Sequence, residues 1–137
     1  RLINDLYLAV KKEVMTEIVK GIEEQQPYKD QFFKIWENYY TYLVKHPDTL
    51  SFIEQCSNTP VITSETRKLA EEFAFPLFDF FTAGIENGIL KSLDLELVTS
   101  LIHSSVVGVA KIQISGLLEI TEERKKAAIE FTWNGLR

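Results

Sequence analysis

One cysteine, Cys56, and two histidines are all that the 137-residue chain carries of either type. An intramolecular disulfide is excluded, and the set is too small for a zinc site. No Gly-rich phosphate loop, G-x-S-x-G elbow or H-E-x-x-H pair occurs. Ser115-Gly116 sits inside a helical pattern with no base at a supportive spacing. No catalytic residue, metal ligand or cofactor is therefore expected, and the chain reads as non-enzymatic. Basic charge is also scarce: 15 Lys and Arg against 20 Asp and Glu leave a net charge of −5. That balance argues against this segment gripping a phosphate backbone, which draws on clustered cations. Arg67-Lys68 and Arg124-Lys125-Lys126 are short and flanked by Glu65, Glu71, Glu72, Glu122 and Glu123, as solvated helix faces are. Low-complexity tracts and linkers are missing as well, so residues 1–137 are expected to form one domain with one core. No signal peptide opens the chain, and the lone cysteine is compatible with a reducing compartment; a cytoplasmic location is expected.

What the chain does have is a long run, Leu95 to Leu118, in which Glu96 and Lys111 are the formal charges. A helix apolar on nearly every side must be buried on more than one. At roughly 100° per residue, Ile102, Val106, Val109, Gln113 and Leu117 gather on one face, and Leu97, Leu101, Ser104, Gly108, Ile112 and Ser115 on the other. The first face suits the chain's own core. The second, lined by small residues, suits close approach of another helix, including one from a second copy. A membrane span is rejected because His103, Lys111 and Gln113 would lie near mid-membrane.

Helical periodicity extends almost everywhere, with no alternating pattern to compete. The spacing predicts a first helix over about 2–24 with Leu2, Leu6, Val10, Val14, Ile18 and Ile22 as its apolar positions, weakened at its end by Gly21. A second helix follows Pro27 and stops before Pro47, which disfavours helical geometry in its predecessor. A short third helix runs to about Gln55. Thr63 or Ser64 caps a long fourth helix to Glu86, kinked at Pro76 and stopped by Asn87-Gly88. Asp94 caps the apolar helix, and Thr121 caps a last one to Gly135. The fold expected is an all-α bundle of about six helices.

The second and fourth helices carry most of the aromatic residues. Their close packing would make an ordinary core; the polar tips of Trp36, Tyr39 and Tyr40, together with the proline kink, favour a cavity instead. Phe32, Trp36, Tyr39, Tyr40, Phe73, Leu77, Phe80 and Phe81 are placed around it, with His103 and Val107 as wall residues from the apolar helix. A small apolar or planar molecule would suit such a site. Asp79 falls by helical angle on the solvated strip, and His46 reads as a surface or capping residue.

The aromatic helix ending Lys45-His46-Pro47, the turn Glu86-Asn87-Gly88-Ile89-Leu90, the entry Asp94-Leu95-Glu96-Leu97 to a helix containing Gly108, and the closing Thr121-Glu122-Glu123-Arg124 and Phe131-Thr132-Trp133-Asn134-Gly135-Leu136 occur in that order. Together they resemble the effector-binding and dimerisation domain of TetR/AcrR-type transcriptional repressors, over essentially the whole chain. The resemblance implies a homodimer in which the last two helices of each subunit build a four-helix interface, here through Leu101, Ser104, Gly108 and Ile112 against Ala128, Phe131, Thr132 and Gly135. It implies a small effector that releases operator DNA. It also implies a leading three-helix DNA-binding domain, to which nothing in residues 1–137 corresponds, so DNA is expected to be read only by a head preceding Arg1. A stand-alone small-molecule or lipid-binding module is the alternative, and an enzyme using a buried acid such as Glu96 or Glu119 a more distant one.

Overall fold

The computed structural model describes residues 2–137 as seven helices: α1 (Leu2–Ile18), α2 (Tyr28–Lys45), α3 (Pro47–Cys56), α4 (Ser64–Glu72), α5 (Phe75–Glu86), α6 (Leu95–Ser115) and α7 (Glu122–Leu136). No strand occurs among the described residues. The all-α expectation holds, and the extra helix arises at the proline. The predicted fourth helix is two helices, because a continuous one would set Pro76 against the Glu72 carbonyl. The chain instead tightens through Phe73 and Ala74, whose amides donate to Ala70 and Glu71 carbonyls at 3.2 and 3.0 Å. Pro76 then sits in the first turn of α5, where a missing N–H leaves no bond unmade.

The first helix also ends earlier than its periodicity suggested, at Ile18 rather than near Glu24. Gly21 turns the chain with a φ of +74°, a conformation glycine adopts without a steric penalty. Asn38 of α2 donates from Nδ2 to the carbonyls of Ile18 and Lys20, both at 2.9 Å, satisfying groups that a helix end leaves without partners. The buried face of α1 keeps the expected Val14 and Ile18 and is otherwise a correction. Its residues are Asn4, Tyr7, Val14 and Ile18, whereas Leu2 is 81% and Leu6 51% exposed. A four-residue repeat drifts around a 3.6-residue helix, while alternating steps of three and four stay on one side.

Around the central α2 pack α6, α1, α7 and α3, with α5 against α6 and α4 against α1. Phe32, Trp36 and Leu43 of α2 are almost fully enclosed, together with Val98 and Val106 of α6 and Ile18 of α1. Trp36 Nε1 donates to Ser105 Oγ at 3.0 Å, and the Ser105 hydroxyl donates in turn to the Ile102 carbonyl at 2.8 Å; a buried indole needs such a partner. Thr63 and Thr121 cap α4 and α7 through their side chains, accepting from the amides of Thr66 and Arg124. Asp94 occupies the cap position of α6 without a side-chain cap bond. Lys125 reaches Glu37 at 2.7 Å, tying α7 to α2. The helix α6 has the length and composition of a membrane span, yet here its Val98, Ile102, Val106, Val107 and Ala110 pack into the bundle.

Candidate functional site

Six of the helices enclose a cavity of about 410 Å³. Its floor is α2, through Ile35, Trp36 and Tyr39, with Ile53 of α3 nearby. α1 contributes Tyr7, Lys11, Val14, Met15 and Ile18, and α6 contributes Thr99, Ser100, Ile102, His103 and Val106. Arg67, Ala70 and Glu71 of α4, Ala74 of the junction, and Leu77, Phe78 and Phe81 of α5 complete the wall. Residues on both sides of the α4–α5 break thus line the cavity. Its size lies within the range of small-molecule sites, and so does a mostly apolar lining carrying a few polar groups.

Trp36, Tyr39, Leu77, Phe81 and His103 are the expected ligand residues that the structure brings to this lining. The other five lie elsewhere. Phe32 packs in the core with its ring 5.2 Å from that of Trp133, Tyr40 stacks on Trp36 at 5.6 Å, and Phe80 stacks almost parallel on Tyr28 at 4.2 Å. Phe73 is half-buried at the helix break and Val107 is buried in the core. Phe32, Tyr40 and Val107 turn to the core rather than the cavity, and of the expected residues on α5 only Phe80 is carried away from it.

Sequence reasoning missed the walls from α1 and α4. The available signal was Lys11, a cation standing in the stripe Tyr7, Val14 and Ile18 at heptad-like spacing. Among the described residues Lys11 belongs to no salt bridge. Its Nζ lies 5.7 Å from the centroid of the Tyr7 ring, and Arg67 Cζ lies 5.9 Å from the same ring. Burial, reinforced by the charge of Arg67, pushes the Lys11 pKa below its usual value. Arg67 is anchored through Nη2, which donates to the carbonyls of Cys56 and Thr59, both at 2.8 Å.

Tyr39 Oη and His103 Nδ1 are 2.8 Å apart across the cavity wall. Burial, and secondarily Lys11, lowers the imidazole pKa from its usual value, with Glu54 pulling the other way. Burial and Glu54 likewise raise the Tyr39 phenol pKa, so its proton stays in place. Glu54 is itself paired with Lys111 at 2.7 Å. Glu96 and Glu119 are both exposed, which removes the buried-acid argument for catalysis. Among the described residues no group of His, Cys, Asp and Glu side chains is arranged to hold a metal ion.

A second surface is distinguished by apolar residues without cover. Phe131 is 82% exposed and Leu117 81%, and Leu97, Leu101, Ile114 and Leu118 are also exposed. Of the expected interface residues, Leu101, Ser104, Gly108, Phe131 and Gly135 are exposed and Ile112 and Ala128 half-buried. A β-carbon added at Gly108 or Gly135 would meet nothing within 4 Å. Thr132 differs, being buried with its hydroxyl donating to the Ala128 carbonyl at 3.0 Å.

Solved structures share this arrangement of helices. A TetR family transcription regulator from Marinobacter aquaeolei VT8 superposes with a TM-score of 0.90 at 15% identity, over 99% of this chain and 71% of that one. A candidate TetR family regulator from Shewanella sp. PV-4 gives 0.85 at 19% identity, over 99% and 73%. A candidate regulator of the same family from Vibrio parahaemolyticus gives 0.84 at 24% identity, over 98% and 72%. No curated protein matches the sequence. The family described as tetracyclin repressor-like, C-terminal domain matches residues 27–137, and with most of its length so matched the chain belongs to that family.

Proposed function

We propose that this domain is the effector-sensing, dimerising part of a bacterial transcriptional repressor. The observation that carries the reading is the cavity, which has the leading helix α1 as one wall and α6 as the other. A molecule seated there touches both the helix nearest a preceding DNA-binding head and the helix with the uncovered apolar face. Binding one arrangement of α1 better than another is all that coupling requires. DNA would be read by the head and not by this acidic segment, and the protein would work in the cytoplasm. No catalytic step is assigned, in keeping with TetR-family regulators in general.

The apolar stripe on α6 and α7 suits a second copy, with Leu101, Gly108, Ile112, Ala128, Phe131 and Gly135 meeting their symmetry mates. Two-fold packing presents each of them twice, and an interface on the order of 1,200–2,000 Å² or more is expected. A stand-alone binding module would share the cavity, but the family match favours the regulator.

Fluorescence titration with the neutral dye N-phenyl-1-naphthylamine tests the cavity. One site per chain is expected, with loss of binding in Ser100→Trp, where the indole fills the space. Hydrogen exchange in α1 should slow when the dye is bound. A dye that does not bind, or binds the variant as well as the wild type, refutes the sensing role.

A further inference from the structure

The polar groups of the cavity are unevenly distributed. Trp36, Ile35, Val14 and Phe81 supply apolar lining, and two cations, Lys11 and Arg67, both lie beside the Tyr7 ring. Arg67 has its guanidinium fixed by two backbone carbonyls. Lys11 has no carboxylate partner among the described residues, although α1 carries Asp5, Glu13 and Glu17. Glu13 instead accepts from Tyr42 at 2.8 Å, and Glu17 lies 3.6 Å from Lys20. Glu71, one turn beyond Arg67 on α4, is the carboxylate of the lining, and it forms a salt bridge with neither cation.

A partly buried lysine next to a second cation is unfavourable, since both burial and like charge oppose its protonated form. Such an arrangement is relieved by an anion. Resting on the sensing role proposed above, we infer that the effector is an acid: an apolar ring or chain seated against Trp36 and Phe81, with a carboxylate or similar anionic group held by Lys11 and facing Arg67. His103, engaged with Tyr39 and with its pKa lowered by burial and by Lys11, lines the wall beside them. This assigns to Lys11 a ligand-binding role, and it narrows the effector from apolar molecules in general to anionic amphiphiles.

Competition against bound N-phenyl-1-naphthylamine by 2-naphthoate and by 2-naphthamide provides the test. The two competitors share a ring system and differ in charge. Moving a carboxylate out of water without a partner is costly, so a cavity lacking an anion site favours the amide. The wild type is expected to prefer the acid by about 10-fold or more, as charge-assisted hydrogen bonds imply. Lys11→Met should abolish or reverse that preference, read as the ratio of the two competitors against each protein's own dye affinity, and Lys11→Arg should retain it. An amide that competes as well as the acid in the wild type, or a Lys11→Met protein that keeps the acid preference, overturns the inference while the sensing role stands. Failure of the dye itself to bind removes both. Lys11→Met sheds a buried charge, and the wild-type comparison needs no variant.

Discussion

Phe131→Ala tests the dimer at the point where the structure makes the largest claim. The ring projects from α7 with 82% of the residue's surface open to solvent. A phenylalanine offers roughly 200 Å² of surface, so complete cover in a dimer would withdraw about 160 Å² per copy from water. At about 25 cal/mol per Å² that burial contributes about 4 kcal/mol, of which alanine would retain about 1. Two-fold symmetry counts the loss twice, but interface truncations are non-additive and rim positions yield little. A weakening of about 3 kcal/mol for the dimer is therefore a conservative expectation, equivalent to a rise in Kd of at least about 100-fold. Sedimentation velocity across a concentration series measures it. Leu2→Ala is the matched control, since Leu2 is 81% exposed on α1, outside the proposed interface, and should leave the dimer intact. A wild type that is monomeric at every concentration, or a Phe131→Ala dimer of unchanged Kd, refutes the placement of the interface on α6 and α7.

Two further outcomes are expected. Gly84→Ala should destabilise the fold by about 1–3 kcal/mol in chemical denaturation, as overpacked positions do, because an added methyl would collide with the Tyr28 hydroxyl and press on Leu90 Cδ1, displacing the ring stacked on Phe80 and its 2.9 Å bond to the Phe80 carbonyl; an unchanged midpoint would contradict that packing. His103 has a folded pKa below 6.5, mainly through burial, so the unfolded chain binds its proton first as pH falls, and stability present above pH 6.5 is lost on acidification toward the folded value. His103→Gln should consequently lose less Tm than the wild type between about pH 7.5 and pH 5.5, and parallel acid limbs would rule out this histidine as a contributor.

The sequence by itself determined the class of fold and the outline of the family. Apolar periodicity without strand alternation, Pro47 and Gly88 at helix boundaries, and the threonine caps at 63 and 121 are local signals, acting over a turn or two of chain, and the structure realises them where they stand. The face of α6 that lacks intrachain cover was legible for the same reason: Leu101 and Gly108, seven residues apart, share one side of the helix, while Val98, Ile102, Val106 and Ala110, spaced by four, turn toward the bundle.

Only the tertiary structure decided which side chains meet at the cavity. Whether Pro76 kinks one helix or starts another depends on whether the freed Glu72 carbonyl and the turn at Ala74 can be accommodated by neighbouring helices, a matter of packing that local propensity does not encode. That choice turned Phe81 toward the cavity and Phe80 onto Tyr28. Likewise, Val14 and Ile18 are buried as their spacing suggested, yet Leu2 and Leu6 of the same series are exposed and Tyr7 is buried, because the rotation of a helix about its axis is fixed by what it packs against. The convergence of Lys11 and Arg67, 56 positions apart in the chain, on one tyrosine ring has the same origin. Charges distant in sequence acquire a joint chemistry only when α1 and α4 are laid side by side.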